Sequence, residues 1–320
     1  MKILLPYRLG DGRNIGTSCS KFLIVPLVLL GSILLLLSVS SNSENRAKAE
    51  QESVRRNKKG QQIFKAFYDC VEPKLSPFRG NNDKFWLSFV NETLKCDNLK
   101  EYESFNILPV ANKDEIKYFI PPNKEVPMTM VTLGIGHDVD AEKTLKQVLP
   151  KTEFFGADPT SKINKDLYEK DLGGKYFEYA VGGQNGIQEA FVLIDGAYSN
   201  RNVLNIEADL FLRDEVQKQK VDILWMDIEG HEFPVLEMLH RGGAFDNKGV
   251  KICQINTEIH KDLDNGVTGE QNMFHEFVWK LLEDGRYVMV KPFLVYFYKD
   301  FIRTTLINVH DKECTDLYIK

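Results

Sequence analysis

Residues 131–142 read VTLGIGHDVDAE. An apolar run ends in Gly134-Ile135-Gly136, and the residues after it carry apolar positions at helical spacing. That is a strand, a tight turn and a helix. Glycine at such a turn lets the backbone reverse sharply and come close to a ligand. A third glycine would keep the helix start open for a pyrophosphate, and His137-Asp138 stands there instead. The loop therefore suits a nucleoside ligand that carries no phosphate at this point.

The same alternation runs outward from this loop. MTMVTLG (128–134), KTEFFGA (151–157), KYFEYAV (175–181), VDILWMDI (221–228) and VKICQINTEI (250–259) read as strands. VDAEKTLKQVL (139–149), INKDLYEKDL (163–172), EFPVLEMLH (232–240) and NMFHEFVWKLLED (272–284) read as helices. QEAFVLI (188–194) reads as a further strand before a polar loop, DGAYSNRNV (195–203). YVMVKPFLVYFY (287–298) and RTTLINVH (303–310) close the chain as a hairpin. Alternating strands and helices predict an α/β domain over 128–320, with a mostly parallel sheet covered by helices on both faces. Ligands in such sheets bind beyond the carboxyl ends of the strands.

Two strand ends carry telling acids. Asp158 closes the second strand, 24 residues after Gly134. An acid at that place can accept hydrogen bonds from both hydroxyls of a ribose. Asp227 ends the buried string ILWMD, where a carboxylate needs a partner or a ligand. Glu229 follows two residues later, Gly230 permits a turn, and Glu232 falls in the first turn of the next helix, where it also serves as a cap. His231 and, as second choice, His260 are candidate proton acceptors. Asp227, Glu229 and Glu258 could gather round a divalent ion, but no tight ligand spacing calls for one, so no metal is expected.

The N-terminal part differs. Phe22–Val39 is uncharged, and a helix of that length spans about 27 Å, close to the bilayer core. We expect a short tail at 1–21, an uncleaved transmembrane signal-anchor at 22–41, a stem or linker at 42–60 and a small helical cap at 61–127. A cleaved signal peptide is the alternative, because SVS precedes Ser41. Ten of the 41 basic and four of the 46 acidic residues fall in 1–60, a net of +6, which leaves −11 for the remainder. A domain so acidic disfavours nucleic acid as a partner. Asn91-Glu92-Thr93 is a glycosylation sequon. Cys70, Cys96, Cys253 and Cys314 follow the apolar run, and four cysteines allow three connectivities. We predict Cys70–Cys96, which are near in sequence, and Cys253–Cys314, which would tie the last segment to the fifth strand.

DILWMDIEGHEFPVL resembles the D-x-E-G-x-E string of FkbM-type S-adenosylmethionine-dependent methyltransferases. LGIGHDVDAE, FFGADP, YFEYAVGG and the closing hairpin follow in that family's order, over about residues 110–310. Within the family the sequence is most similar to a membrane-anchored invertebrate branch. The resemblance implies the class I methyltransferase Rossmann-like fold, a seven-stranded sheet with one antiparallel strand near an edge. It implies S-adenosylmethionine as cofactor, with Gly134 and Gly136 at its amino-acid end; His137 and Asp138 beside them are our further candidate cofactor-binding residues. Asp158 would take the ribose, Val181 and Gly182 would lie near the adenine, and Asp227 would face the methyl-transfer centre; with Glu229 and His231 it makes up our candidate catalytic set of base and positioning groups. His137-Asp138 departs from the family's common glycine-rich loop. The expected function is O-methylation, in the secretory lumen, of a hydroxyl on a glycan or small molecule. A cytosol-facing small-molecule methyltransferase, or a methyltransferase-like binding module without turnover, are the alternatives.

Overall fold

The computed structural model describes the backbone of residues 24–261, 270–295 and 301–320, with side chains from residue 45 onward except 270–272; counts and absences below refer to these residues. The chain divides into two compact units, Met1–Glu52 and Ser53–Lys320. In the first, the described backbone is the beginning of helix α1 (Ile24–Leu75). The tail expected at 1–21, Phe22, Leu23 and the side chains through Glu44 lie outside the described residues, and the expected anchor falls there. Among the described residues no helix is long and apolar enough to cross a membrane.

The second unit begins inside α1, so the stretch expected as a stem or linker, 42–60, is helical. That stretch lacks apolar periodicity, but Glu, Lys, Arg, Ala and Gln dominate it, and these are strong helix formers. From Ser53 on it is also docked. Ser53 Oγ donates to Asp316 Oδ2 at 3.0 Å and Asn57 Nδ2 to the His310 carbonyl at 3.0 Å. Gly60 passes so close to Val309 that a Cβ would sit 2.1 Å from the Val309 carbonyl oxygen. Further along, Ile63, Phe67, Val71 and Leu75 recur every fourth residue and are buried.

Helix α2 (Asn82–Leu94) starts at Asn81, whose side chain accepts from Lys84 N. Its Trp86 and Phe89 pack edge-on against Phe274 of a later helix, with ring centroids 5.0 and 4.8 Å apart. The predicted disulfide Cys70–Cys96 joins the end of α1 to the segment after α2. The cap is not wholly helical, however. Strands β1 (Leu108–Ala111) and β2 (Ile116–Phe119) pair antiparallel. Side chains fasten this hairpin to the main sheet: Tyr118 N donates to Asn256 Oδ1 and Ile120 N to Gln254 Oε1. Strands this short carry too little periodicity to be read from sequence alone.

The rest of the chain follows the expected alternation. After β3 (Met128–Leu133) come α3 (Asp140–Val148), β4 (Thr152–Ala157), α4 (Ser161–Asp166) and β5 (Lys175–Phe177). A side sheet follows, of β6 (Ala180–Gly182), β7 (Gly186–Ile194) and β8 (Ala197–Glu207), then the short helix α5 (Ala208–Leu210). Next are β9 (Lys220–Val221), β10 (Ile223–Met226), α6 (Glu232–Glu237), α7 (Ala244–Asn247), β11 (Lys251–Ile252) and β12 (Gln254–His260). Helix α8 (Glu270–Asp284), strands β13 (Tyr287–Val295) and β14 (Phe301–Asn308) and helix α9 (Lys312–Tyr318) complete the unit. The seven-stranded sheet has the order β13-β14-β12-β10-β3-β4-β5. Neighbours from β12 through β5 are parallel, and β14 is antiparallel to both β12 and β13. This is the expected sheet with one antiparallel strand near an edge. The predicted disulfide Cys253–Cys314 links the base of β12 to α9.

One expectation fails here. Of the expected loop 195–203, only Asp195 and Gly196 form a turn; Ala197 onward is the first part of β8, antiparallel to β7. The ribbon is solvated along much of its length, so polar residues occupy both faces and no alternation betrays the strand.

Candidate active site

The strand order switches direction at β3, with β4 and β5 on one side and β10 and β12 on the other. A crevice opens at such a point beyond the carboxyl ends of the strands. Gly134 follows β3 there and Asp227 follows β10. The two tips touch: a Cβ on Gly134 would lie 1.8 Å from the Asp227 carbonyl oxygen, and Gly134 has φ +81°. Only glycine fits both the close approach and that backbone.

A cleft of about 150 Å³ lies at these tips. Of the candidate site residues named from the sequence, Gly134, Gly136, Asp138, Asp158, Val181, Asp227, Glu229 and His231 line it. His137 and Gly182 do not belong to its wall. His137 instead stands at φ +61° with its amide donating to Asn164 Oδ1 at 3.0 Å. Asp138 Oδ1 accepts from Asp140 N and Oδ2 from Lys113 N, so it shapes the start of α3 and holds the β1–β2 hairpin. Asp158 is buried, with Oδ2 accepting from Ile135 N at 2.9 Å and Oδ1 from Thr160 N and Oγ1. Those bonds pin the glycine loop and still leave one acceptor site on Oδ2. The β7–β8 ribbon adds Phe191, Leu193 and Tyr198 to the wall.

A second cavity, of about 620 Å³, adjoins the first. Met226, Asp227, Lys117 and Arg303 line both. Its own walls include Ile116, Tyr118, Pro292 and Phe293 with Asn256, Thr304 and Thr305. A chamber of this size is in the range of small-molecule sites.

The tip of β10 is crowded with acids. His260, at the end of β12, sits among them, its Nδ1 3.2 Å from Glu232 Oε1 and its Nε2 3.3 Å from Glu258 Oε1 and 3.6 Å from Glu229 Oε2. Arg303 Nε lies 2.6 Å from Glu258 Oε2. Glu232 is fully buried, accepts from Ile228 N and Gly230 N, and so caps the turn while also facing His260. Burial opposes the charge on His260, but Glu232, Glu258 and Asp227 outweigh it and raise its pKa well above the ordinary value. Burial alone would raise Glu258, yet His260 and Arg303 hold it below the usual carboxylate range. Asp227 moves the other way: burial first, then the charges of Glu258 and Glu229, push it well up. Its Oδ1 is buried without a hydrogen-bond partner. Glu229, at φ +55°, is raised chiefly by burial and bonds to the Tyr198 hydroxyl. Lys117 is ion-paired with Glu115, and burial lowers its pKa.

The sequence had ranked His260 second and read Glu232 as a cap; Lys117, Tyr198 and Arg303 carried no signal in it. The last three reach the site from the hairpin, the ribbon and the antiparallel strand, which only the fold brings together. Asp227, Glu232 and His260 also offer ligand atoms within 4.8 Å of one another and are the group able to hold a metal ion. The cleft suits the cofactor that the sequence implies. Gly136, at φ +62°, leaves open space where a side chain would project, and Glu142 lines the cleft with an unpartnered carboxylate oxygen.

Comparison with known proteins identifies the family. A family model described as the methyltransferase FkbM domain matches residues 69–315. No curated protein matches the chain. Among solved structures, fibrillarin from Aeropyrum pernix with bound S-adenosyl-L-methionine is 14% identical, covers 57% of this chain and 67% of its own, and has a TM-score of 0.32. A human methyltransferase 10 domain containing protein is 10% identical, with coverages of 59% and 75% and a TM-score of 0.30. The 16S rRNA (adenine(1408)-N(1))-methyltransferase of Catenulisporales acidiphilia is 12% identical, with coverages of 63% and 98% and a TM-score of 0.27. The family model spans well over half of the 320 residues, and the chain belongs to the FkbM family of S-adenosylmethionine-dependent methyltransferases.

Proposed function

We propose that the protein methylates a hydroxyl oxygen of a glycan or small molecule, in the secretory lumen, from a membrane-anchored position. The observation that carries the reaction is the place of Asp227 between the two cavities. The cofactor, bound in the cleft, supplies a methyl group on a sulfonium. The larger chamber receives the acceptor, whose hydroxyl must meet that methyl in line and lose its proton. Asp227 is the base. Its Oδ1 is free of protein partners, and its raised proton affinity suits proton transfer better than an ordinary carboxylate does. The charge of Glu229 adds to its proton affinity, and His260 offsets the local negative charge. The exposed ring of Phe293 in the wall of the larger chamber offers an acceptor such as a sugar one apolar face to stack on.

Two disulfides and the sequon support the lumen, since such links persist in oxidising compartments. The acidic balance beyond residue 60 supports an acceptor other than nucleic acid. Asn91 is exposed on α2, so an endoglycosidase should shift the protein on a gel. An unshifted band together with protease sensitivity in sealed vesicles would defeat the topology. For the reaction, purified protein, S-adenosylmethionine and a panel of neutral glycans should yield a mass gain of one methyl on oxygen. Cofactor binding with no methylated product across glycans and small alcohols would leave a binding module.

A further inference from the structure

Helix α3 carries a carboxylate that the reaction above leaves unused. Glu142 is 1% exposed. Its Oε1 accepts from Thr132 Oγ1 at 3.0 Å, and the Tyr168 hydroxyl stands 3.0 Å behind that threonine. Its Oε2 has no hydrogen-bond partner, yet the residue lines the cofactor cleft with Gly134 and Gly136. A buried carboxylate oxygen left bare is costly unless a ligand completes it. The charged groups that face it from neighbouring elements are Lys117 and Asp138. Lys117 is ion-paired with Glu115 and lies over the Trp225 ring at 5.6 Å, so it is already committed, and Asp138 repels. Burial lifts the Glu142 pKa to about 7, with Lys117 and Thr132 opposing.

We propose that Glu142 Oε2 accepts a hydrogen bond from the α-ammonium group of the cofactor, so that this one carboxylate selects ligands bearing an intact amino-acid end. The inference rests on the cofactor reading and on the glycine loop being its amino-acid end. An ammonium brings a positive charge and three donors to an oxygen that has none. No other acid in the cleft is so placed. Asp158 is bonded to the loop, and Asp227 belongs to the acceptor side.

Paired ligands test this. S-adenosylhomocysteine carries the ammonium; 5′-methylthioadenosine shares the nucleoside and lacks the amino acid. By calorimetry, Glu142→Gln should bind the first about 10- to 150-fold more weakly, the loss of a charge-assisted bond, and the second within about 2-fold of wild type. Wild type should also release a proton on binding S-adenosylhomocysteine near pH 7, seen as a heat that depends on the buffer, and should release none with methylthioadenosine. That second readout needs no variant and decides the matter if Glu142→Gln does not fold. Equal losses for both ligands, an unchanged affinity for S-adenosylhomocysteine, or binding without proton release would overturn the proposal. If wild type binds methylthioadenosine but not S-adenosylhomocysteine, the ammonium contact is wrong and the nucleoside reading survives. If it binds neither, both fall.

Discussion

The tips of β3 and β10 meet across the cleft and are built on opposite plans. At β3 the chain offers backbone and space: two glycines, a loop pinned by Asp158, and one bare carboxylate oxygen on Glu142. At β10 it offers side chains in excess, four carboxylates gathered round His260 and Arg303. The first tip is left incomplete, so a ligand finishes it. The second is largely neutralised from within, so that among its acids Asp227 is the one with an unpartnered oxygen. Under the proposed function, binding and chemistry fall on separate strands, and substitutions on the two should separate affinity from turnover.

The largest effect should come from the internal counter-ion. His260→Asn strands the acids round it and should cost about 3–5 kcal/mol in denaturant unfolding at pH 7, as removal of one partner from a buried ion pair does. Because the folded protein raises the proton affinity of His260, its stabilisation is complete below the unfolded value of 6.5 and drains away as pH climbs through the higher folded value. The gap between variant and wild type should therefore narrow at alkaline pH. A gap that widens there would mean that His260 is neutral in its cluster.

Next in size, Asp227→Asn should lower the chemical step about 100-fold or more and leave cofactor affinity within about 3-fold. Product formation at saturating cofactor, beside calorimetry, separates the two. Equal losses in both would abolish the division between the tips. On the other tip, Asp158→Ala should weaken cofactor binding about 10- to 150-fold and lower the melting temperature too, because Ile135 N and Thr160 N lose their acceptor. A stability loss with normal affinity would leave Asp158 as a brace for the loop and take the ribose away from it. Smallest of all, Tyr198→Phe removes one hydroxyl bond to Glu229 and should change kcat/KM about 3- to 10-fold. No change would detach the β7–β8 ribbon from the catalytic side.

The β3 tip was far more legible in sequence than the β10 tip. Gly134, Gly136 and Asp158 carry their meaning locally, because a turn and a strand end impose it on single residues. Asp227 announced itself by following four buried apolar residues. The alternation of strands and helices gave the sheet, and the cysteine spacing led to both disulfides. The partners of these acids were not legible, since Lys117, Tyr198 and Arg303 arrive from three elements whose approach depends on the whole fold. Glu232 read as a cap and is one, but its second contact, to His260, lies 28 residues away. Residues 42–60 read as a linker because their helix draws on intrinsic propensity and, from Ser53 on, on bonds to residues beyond 300, and neither leaves an apolar period. The ribbon over 197–207 hid for the same reason: a strand solvated along most of its length has no buried face to mark it.

The two cystine links have a practical consequence for whoever makes this enzyme. Cys253 and Cys314 are wholly enclosed, one at the root of the strand that ends in His260 and the other in the last helix. Material produced in a reducing bacterial cytoplasm would leave the ribosome with that strand and that helix unjoined, and a missing link of this kind commonly costs about 2–5 kcal/mol in a small secreted domain. An inactive preparation from such a host would report on its thiols rather than on its acceptor. Periplasmic or insect-cell secretion, with free-thiol titration before any assay, is the condition under which a negative result would carry information.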